Sequence, residues 1–124
     1  MICYKPVVET NKLMQLYPNY KFNNDLVYGG YIGVDEGGNN VGNCMFSISG
    51  YNCSIISIDC DILDKLLVEG YIRASLNFCA NRNAYMAHCD IESVADVLLL
   101  LGFKKNNDIY SGDIPTLLKG SCCK

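Results

Sequence analysis

The side chains best suited to nucleophilic or acid–base chemistry in this sequence are His88, Cys122 and Cys123. His88 precedes Cys89 and Asp90, so it is a candidate general base that a neighbouring carboxylate would orient. Cys122 and Cys123 are adjacent and lie near a chain end, so we expect them to be exposed and able to act as nucleophiles, metal ligands or redox-active thiols. The ordinary alternatives are a hydrogen-bonded histidine at a strand end and a frayed terminal segment, and the sequence favours both of these.

The remaining cysteines are explained better by packing than by metal binding. No pair has the two-residue spacing of zinc or redox motifs, and the chain has a single histidine, so we expect no metal site. Reduced cysteine in a strand or on a helix behaves as a small buried hydrophobe. We expect that role for Cys44, Cys53, Cys60, Cys79 and Cys89.

The elements that must position these residues lie between residues 58 and 103. Apolar residues recur every three or four positions from Ile62 to Phe78, which predicts a long helix with one buried face. Asp61 is the expected N-cap, and the helix should end near Asn83. The expected apolar face consists of Leu63, Leu66, Leu67, Tyr71, Ala74 and Phe78.

A short strand at residues 84–89 follows the long helix. Since the helix must cross back over the sheet, we expect this strand to run parallel to the one before the helix, in a right-handed βαβ unit. Asp90 would cap a second helix that ends at Leu101, with Gly102 left-handed after it. Phe103 would begin the next strand.

The segments outside this unit predict edge elements and a hairpin. Strands at 26–34 and 44–49 flank a turn at 35–40, and Gly29 and Gly30 suggest a bulge or the close approach of a ligand. The strand at 53–60 should place Ile56, Ile58 and Cys60 on one face. We also predict a short helix at 8–17, an extended segment at 20–22, a last strand at 109–114, and at most one helical turn at 115–118. Packing roles are expected for Tyr28, Tyr31 and Tyr51.

Together these elements predict an α+β fold: a mixed, mostly antiparallel sheet with one parallel βαβ unit and two main helices. A chain of 124 residues with net charge -3 and half hydrophobic content is expected to form one acidic domain spanning residues 1–124. Its ten Lys and Arg are scattered, which argues against nucleic-acid binding. No apolar run approaches about 18 residues and no secretory leader is evident, so we expect a cytoplasmic protein without membrane insertion.

The order of hairpin, third strand, long helix, parallel strand, second helix and Leu-Gly-Phe resembles the GNAT superfamily of acyltransferases over residues 26–114. The resemblance implies an N-acyltransferase that uses acetyl-CoA or CoA, with a small-molecule acyl-CoA as its partner. In that family a basic, glycine-rich loop before the long helix holds the pyrophosphate with backbone NH groups. The resemblance places cofactor binding at Ile58, Cys60, Asp61, Ile62 and Leu63.

The sequence departs from the family at the residues that do its chemistry. The family's loop glycines fall on Asp61 and Leu63, so carboxylates stand where a pyrophosphate should bind. Its helix asparagine and its general-acid tyrosine fall on Ile91 and Leu98. We therefore expect acetyl-CoA, if bound, to bind weakly through the gap between the strands at 53–60 and 84–89.

Three functions stay open on the sequence alone. The first is a GNAT-like N-acyltransferase domain, catalytic or lapsed. The second is a non-catalytic binding module that self-associates as a homo-oligomer or serves another partner. The third is a thiol-based redox or metal protein, for which Cys122 and Cys123 are the candidates.

Overall fold

A mixed sheet of seven strands organises the chain in the computed structural model, which describes residues 1–120. The strand order is β1-β2-β3-β4-β5-β7-β6, and within these residues β4 and β5 form the parallel pair while the other neighbours are antiparallel. The strands are β1 (Cys3–Val7), β2 (Val27–Val34), β3 (Asn40–Ser49), β4 (Asn52–Cys60), β5 (Met86–Cys89), β6 (Lys104–Asn106) and β7 (Ile109–Asp113). The helices are α1 (Thr10–Leu16), α2 (Lys65–Ala80), α3 (Ala95–Leu101) and α4 (Ile114–Gly120).

The two faces of the sheet are covered unequally. Helices α2, α3 and α4 pack on one face and bury the largest apolar cluster, which includes Phe46 and Leu98. Helix α1 covers part of the other face, where Leu13 contacts a cluster with Met45. Farther along that second face, β4, β5 and β7 carry half-buried polar side chains. The polar residues discussed below therefore lie on the side of the sheet opposite α2.

The predicted α+β fold with one parallel βαβ unit is confirmed, but the long helix starts later than expected. Asp64, not Asp61, is its N-cap, and the Asp64 carboxylate accepts a hydrogen bond from the Leu67 amide at 3.1 Å. Leu63 and Leu66 are 85% and 80% exposed, so their expected place on the buried face was wrong. The buried face is formed by Leu67, Val68, Tyr71, Ile72, Ser75, Leu76, Phe78 and Cys79.

A β-bulge in β4 changes which of its side chains share a face. Met45 pairs with Ser57 while Phe46 pairs with Ile55, so Ile56 is the extra residue. Ile56 therefore packs on the α1 side, whereas Ile58 packs against the clusters under α2. The prediction that these two isoleucines share a face was wrong, because strict alternation ignores the bulge.

The bulge expected at Gly29 and Gly30 does not occur, since β2 and β3 stay in regular register there. The register shifts instead between Gly33 and Val34. An added Cβ at Gly29 would lie 2.9 Å from the Phe46 ring, so close packing explains this glycine. Tyr51 is 73% exposed, which contradicts the packing role expected for it.

The second helix of the βαβ unit also begins differently. A short 3₁₀ turn, Glu92–Val94, precedes α3, whose N-cap is Val94 rather than Asp90. Gly102 is left-handed at φ 112°, as expected for a residue that ends a helix. Phe103 lies just before β6 and is buried, and α4 is a seven-residue helix rather than a single turn.

The N-terminal part holds a strand that the sequence did not signal. β1 adds an edge to the sheet by pairing antiparallel with β2, and α1 forms close to the predicted position. Residues 20–22 belong to no strand; Tyr20 and Phe22 pack edge-to-face with Tyr28 instead.

Candidate functional site

The parallel strands β4 and β5 separate at one end of the sheet. Their pairing runs from Asn52 opposite Met86 to Ile55 opposite Cys89, and β4 then continues to Cys60 without β5 beside it. The extra residue Ile56 stands at the point of separation. A pocket of about 300 Å³ opens there, lined by Ser54, Ile55, Ile56, His88, Cys89, Asp90 and Ile109.

His88 sits at this gap with a hydrogen bond on each ring nitrogen. Its Nε2 lies 3.0 Å from Asn52 Oδ1, and its Nδ1 lies 2.8 Å from Ser111 Oγ. The partners come from β4 and β7, the strands on either side of β5. The expected orienting group, Asp90, is therefore replaced by an amide and a hydroxyl, because Asp90 leaves the strand end while Asn52 and Ser111 share the face of His88.

The loop before α2 uses its own carboxylates to satisfy the backbone groups that would hold a phosphate. Asp61 Oδ1 accepts from the Leu63 amide at 3.1 Å, and the Asp61 carbonyl accepts from the Asp64 amide at 3.0 Å. Asp64 Oδ1 in turn takes the Leu67 amide. A bound anion at this helix terminus would have to displace these internal hydrogen bonds.

The same carboxylates make the end of β4 electronegative. Burial, together with the negative charges of Asp59, Asp61 and Asp64, raises the pKa of the Cys60 thiol to about 11. Lys65, the first residue of α2, forms an ion pair with Asp96 and is thereby engaged with α3. The loop thus resists a second negative charge such as a pyrophosphate.

The pocket itself is less charged and partly apolar. Cys89 is 2% exposed, and burial raises the pKa of its thiol to about 11, with the charge of Asp90 adding to the shift. A thiol with so high a pKa stays protonated at neutral pH and is a poor nucleophile. Cys89 therefore contributes a small apolar wall to the pocket.

The positions that correspond to the family's acid and asparagine carry no polar group. Leu98 is fully buried in the core under α2, and Ile91 packs at its edge. Cys44, Cys53, Cys79 and Cys89 are buried and Cys60 is half-buried, as expected for packing residues. Cys122 and Cys123 lie outside the described residues.

Two further observations limit the site within residues 1–120. No group of three His, Cys, Asp or Glu side chains in this part of the chain is placed to hold a metal ion. None of the helices described has the length and apolar character needed to cross a membrane.

Solved structures of other proteins share this architecture. The structure of the ribosomal-protein-S18-alanine N-acetyltransferase from Escherichia coli matches with a TM-score of 0.66 and 11% identity, covering 92% of this chain and 94% of that chain. The fold is that of the GNAT acetyltransferases. No family model and no curated protein sequence matches the chain.

Two other GNAT structures extend the comparison. Spermidine N-acetyltransferase from Vibrio cholerae, solved in complex with CoA and spermine, matches with a TM-score of 0.62 and 13% identity, over 87% of this chain and 77% of that chain. Tetrahymena GCN5 matches with a TM-score of 0.59 and 8% identity, over 90% of this chain and 96% of that chain. At such identities the likeness speaks to the fold.

Asn52 and Ser111 are the site residues that the sequence did not indicate. They are 36 and 23 residues from His88 along the chain, so no local motif joins them. One feature of the sequence could have pointed to Ser111. Side chains alternate between the two faces of a strand, so Ser111 lies on the face of β7 opposite the buried Tyr110.

Proposed function

We propose that this chain is an N-acyltransferase domain whose acyl donor, a CoA thioester, lies in the gap between β4 and β5. The observation that supports it is the separation of these strands after Ile55, next to a pocket lined by His88. Past that point, β4 presents a strand edge without a β5 partner. An extended amide-containing chain can hydrogen-bond to such an edge as an added strand does.

The two parts of a CoA thioester fit this site unequally. The acyl end and its amide-rich arm suit a partly apolar pocket with Ile55, Ile56 and Cys89 in its walls. The pyrophosphate does not suit the loop, because Asp61 and Asp64 occupy the amides that would bind it. The donor is therefore held by its arm, and its phosphates contribute little to its binding.

His88 is a group in this pocket that can move a proton. Its ring is fixed on both sides by Asn52 and Ser111, so the imidazole has one orientation in the gap. A base held this way can accept the proton that an attacking amine must lose during acyl transfer. Leu98 stands where the family has its general-acid tyrosine, so that acid has no counterpart here. A lapsed enzyme would keep the pocket but would not turn over substrate.

Filling the gap tests the proposal directly. Ser54 lines the pocket, so Ser54→Phe should block it and abolish the heat of acetyl-CoA binding in calorimetry. The matched control is Asn77→Phe, which puts the same ring on the exposed surface of α2, on the other side of the sheet. Equal binding by the two variants and the unmodified chain would show that the donor does not use the gap.

A self-association module is the second candidate, because large apolar side chains are exposed on the described surface. Leu63, Leu66 and Leu100 are 85%, 80% and 72% exposed. Sedimentation velocity over a concentration series should show dimers if these leucines form an interface. The double variant Leu63→Glu/Leu66→Glu should then be monomeric, whereas a monomeric unmodified chain would refute this candidate.

A further inference from the structure

His88 belongs to a row of paired residues that crosses four strands of the sheet. In this row a serine lies between the histidine and a lysine. Ser54, His88, Ser111 and Lys104 are register partners on the four adjacent strands β4, β5, β7 and β6. Directly paired residues project to the same face of a sheet, with Cβ atoms about 5 Å apart. Ser111 therefore has the imidazole on one side and an exposed ammonium group on the other.

The hydrogen bonds define the direction in which a proton can move. Asn52 Oδ1 is an acceptor, so the Nε2 of His88 donates to it and carries the ring proton. The Nδ1 of His88 is then the lone-pair nitrogen, and it accepts from the Ser111 hydroxyl at 2.8 Å. This is the arrangement of nucleophile, base and orienting group found in serine and cysteine acyl-transfer sites.

We propose that Ser111 is a nucleophile that takes the acyl group from the donor, so that transfer proceeds through an acyl-serine on β7. The site is accessible, because Ser111 is half-buried and Ile109, the next residue on the same face of β7, lines the pocket. The identity of the donor as a CoA thioester rests on the proposed function. The nucleophile itself rests on the row of side chains.

The first half of the reaction balances with the groups present. Ser111 Oγ forms a bond to the thioester carbonyl carbon as its proton passes to His88 Nδ1. The carbon–sulfur bond then breaks, and the leaving thiolate takes the proton from His88 and departs as a thiol. In this proposal the ammonium group of Lys104, the register partner of Ser111 on β6, stabilises the negative oxygen that forms between these steps.

The second half returns the site to its starting state. An acceptor amine attacks the ester carbonyl and loses a proton to His88, forming the carbon–nitrogen bond. The carbon–oxygen bond to Ser111 breaks, and His88 returns the proton to the serine oxygen. Neither half requires an oxidant, a reductant or a metal.

An activated ester that contains no CoA tests this inference alone. Incubation of the unmodified chain with p-nitrophenyl acetate should release a burst of p-nitrophenolate equal to the protein concentration. Peptide mass spectrometry should find one acetyl group on the peptide that contains Ser111. Acetyl groups found on cysteines instead, or no stable acylation, would overturn the inference.

Variants assign the roles of the row. Ser111→Ala should lose the burst, while Ser49→Ala, an exposed serine on β3, should keep it. Ser111→Cys should restore acylation as a thioester. His88→Gln should slow acylation by about 100-fold or more, since a general base contributes at least that factor. Thermal melting checks that each variant is folded, and an unchanged burst in Ser111→Ala would refute the nucleophile.

The result also separates the two proposals. Acylation of Ser111 by the ester together with no calorimetric binding of acetyl-CoA would keep the nucleophile and reject the CoA donor. Binding of acetyl-CoA in the gap without acylation of Ser111 by either donor would keep the proposed function and reject the acyl-serine.

Discussion

Replacing Asp61 and Asp64 by glycine should raise the affinity for CoA by about 30- to 1,000-fold. In the native loop these carboxylates accept the amides of Leu63 and Leu67 at 3.1 Å each. The double substitution removes two negative charges and frees two NH groups at the start of α2. It should leave the fold intact, because Asp→Gly at an N-cap costs only a few tenths of a kcal/mol.

The size of the effect follows from two contributions. A carboxylate about 4 Å from a phosphate costs about 1 kcal/mol in water, and salt reduces that repulsion. Each freed NH group that binds the anion contributes about 0.5 to 1.5 kcal/mol. With two NH groups freed and about 1 kcal/mol left from the screened charges, the sum is about 2 to 4 kcal/mol. Because each 1.4 kcal/mol is a factor of about ten, this sum corresponds to about one and a half to three orders of magnitude.

Calorimetric titration with CoA measures this change in affinity. A second variant separates the contribution of the charges from that of the freed NH groups. Asp61→Asn/Asp64→Asn removes the charges but keeps side-chain oxygens that cap the amides, so it should gain only about tenfold. Asp25→Asn, at the opposite end of β2 from the loop, controls for net charge. If the glycine variant binds CoA no better than the native chain, the loop does not face the phosphates and the reasoning fails.

The remaining predictions concern the buried groups around the site. At pH 8, iodoacetamide should alkylate Cys60 roughly 20-fold more slowly in the folded than in the urea-unfolded chain. The reason is that the pKa of the Cys60 thiol is about 11 in the folded chain, so little of it is thiolate at pH 8. The alkylation rate of the folded chain should climb as the pH approaches that pKa. Tyr71→Phe should raise the free energy of unfolding in urea by about 1 kcal/mol, since the fully buried Tyr71 hydroxyl makes no hydrogen bond of normal geometry; a large loss would mean that the hydroxyl is satisfied. Gly33→Ala should destabilise by about 1 to 3 kcal/mol, because its Cβ would lie 2.2 Å from that hydroxyl. The loss should be smaller in the Tyr71→Phe background, where the nearest ring carbon is 3.0 Å away, and an equal loss in both backgrounds would refute this explanation.

Most of the fold was predictable because it depends on local periodicity and on the order of the elements. The parallel pairing of β4 with β5 follows from the helix that joins them. The start of α2 was misjudged because Leu63 and Leu66 continue the helical period while being exposed. A pattern of leucines cannot reveal that Asp61 closes a turn and that Asp64 begins the helix.

The site was less predictable because its geometry depends on contacts between distant strands. The bulge at Ile56 is hidden in the sequence, since Ile55, Ile56 and Ile58 make either phase of alternation apolar. His88 was identified as a candidate, but the sequence suggested its neighbour Asp90 as the orienting group. Its real partners come from other strands, and such contacts appear only once the register is known.

The most direct test of the account compares acetyl-CoA with acetyl-pantetheine, which has the same thioester arm but no phosphates. If the donor is held by its arm in the gap between β4 and β5, both compounds should bind with affinities within about threefold of each other, a difference of less than 1 kcal/mol. Ser54→Phe should abolish both. Binding of acetyl-CoA at least about a hundredfold tighter than acetyl-pantetheine would show that phosphate contacts dominate, and the absence of binding by either would contradict a thioester site in the gap.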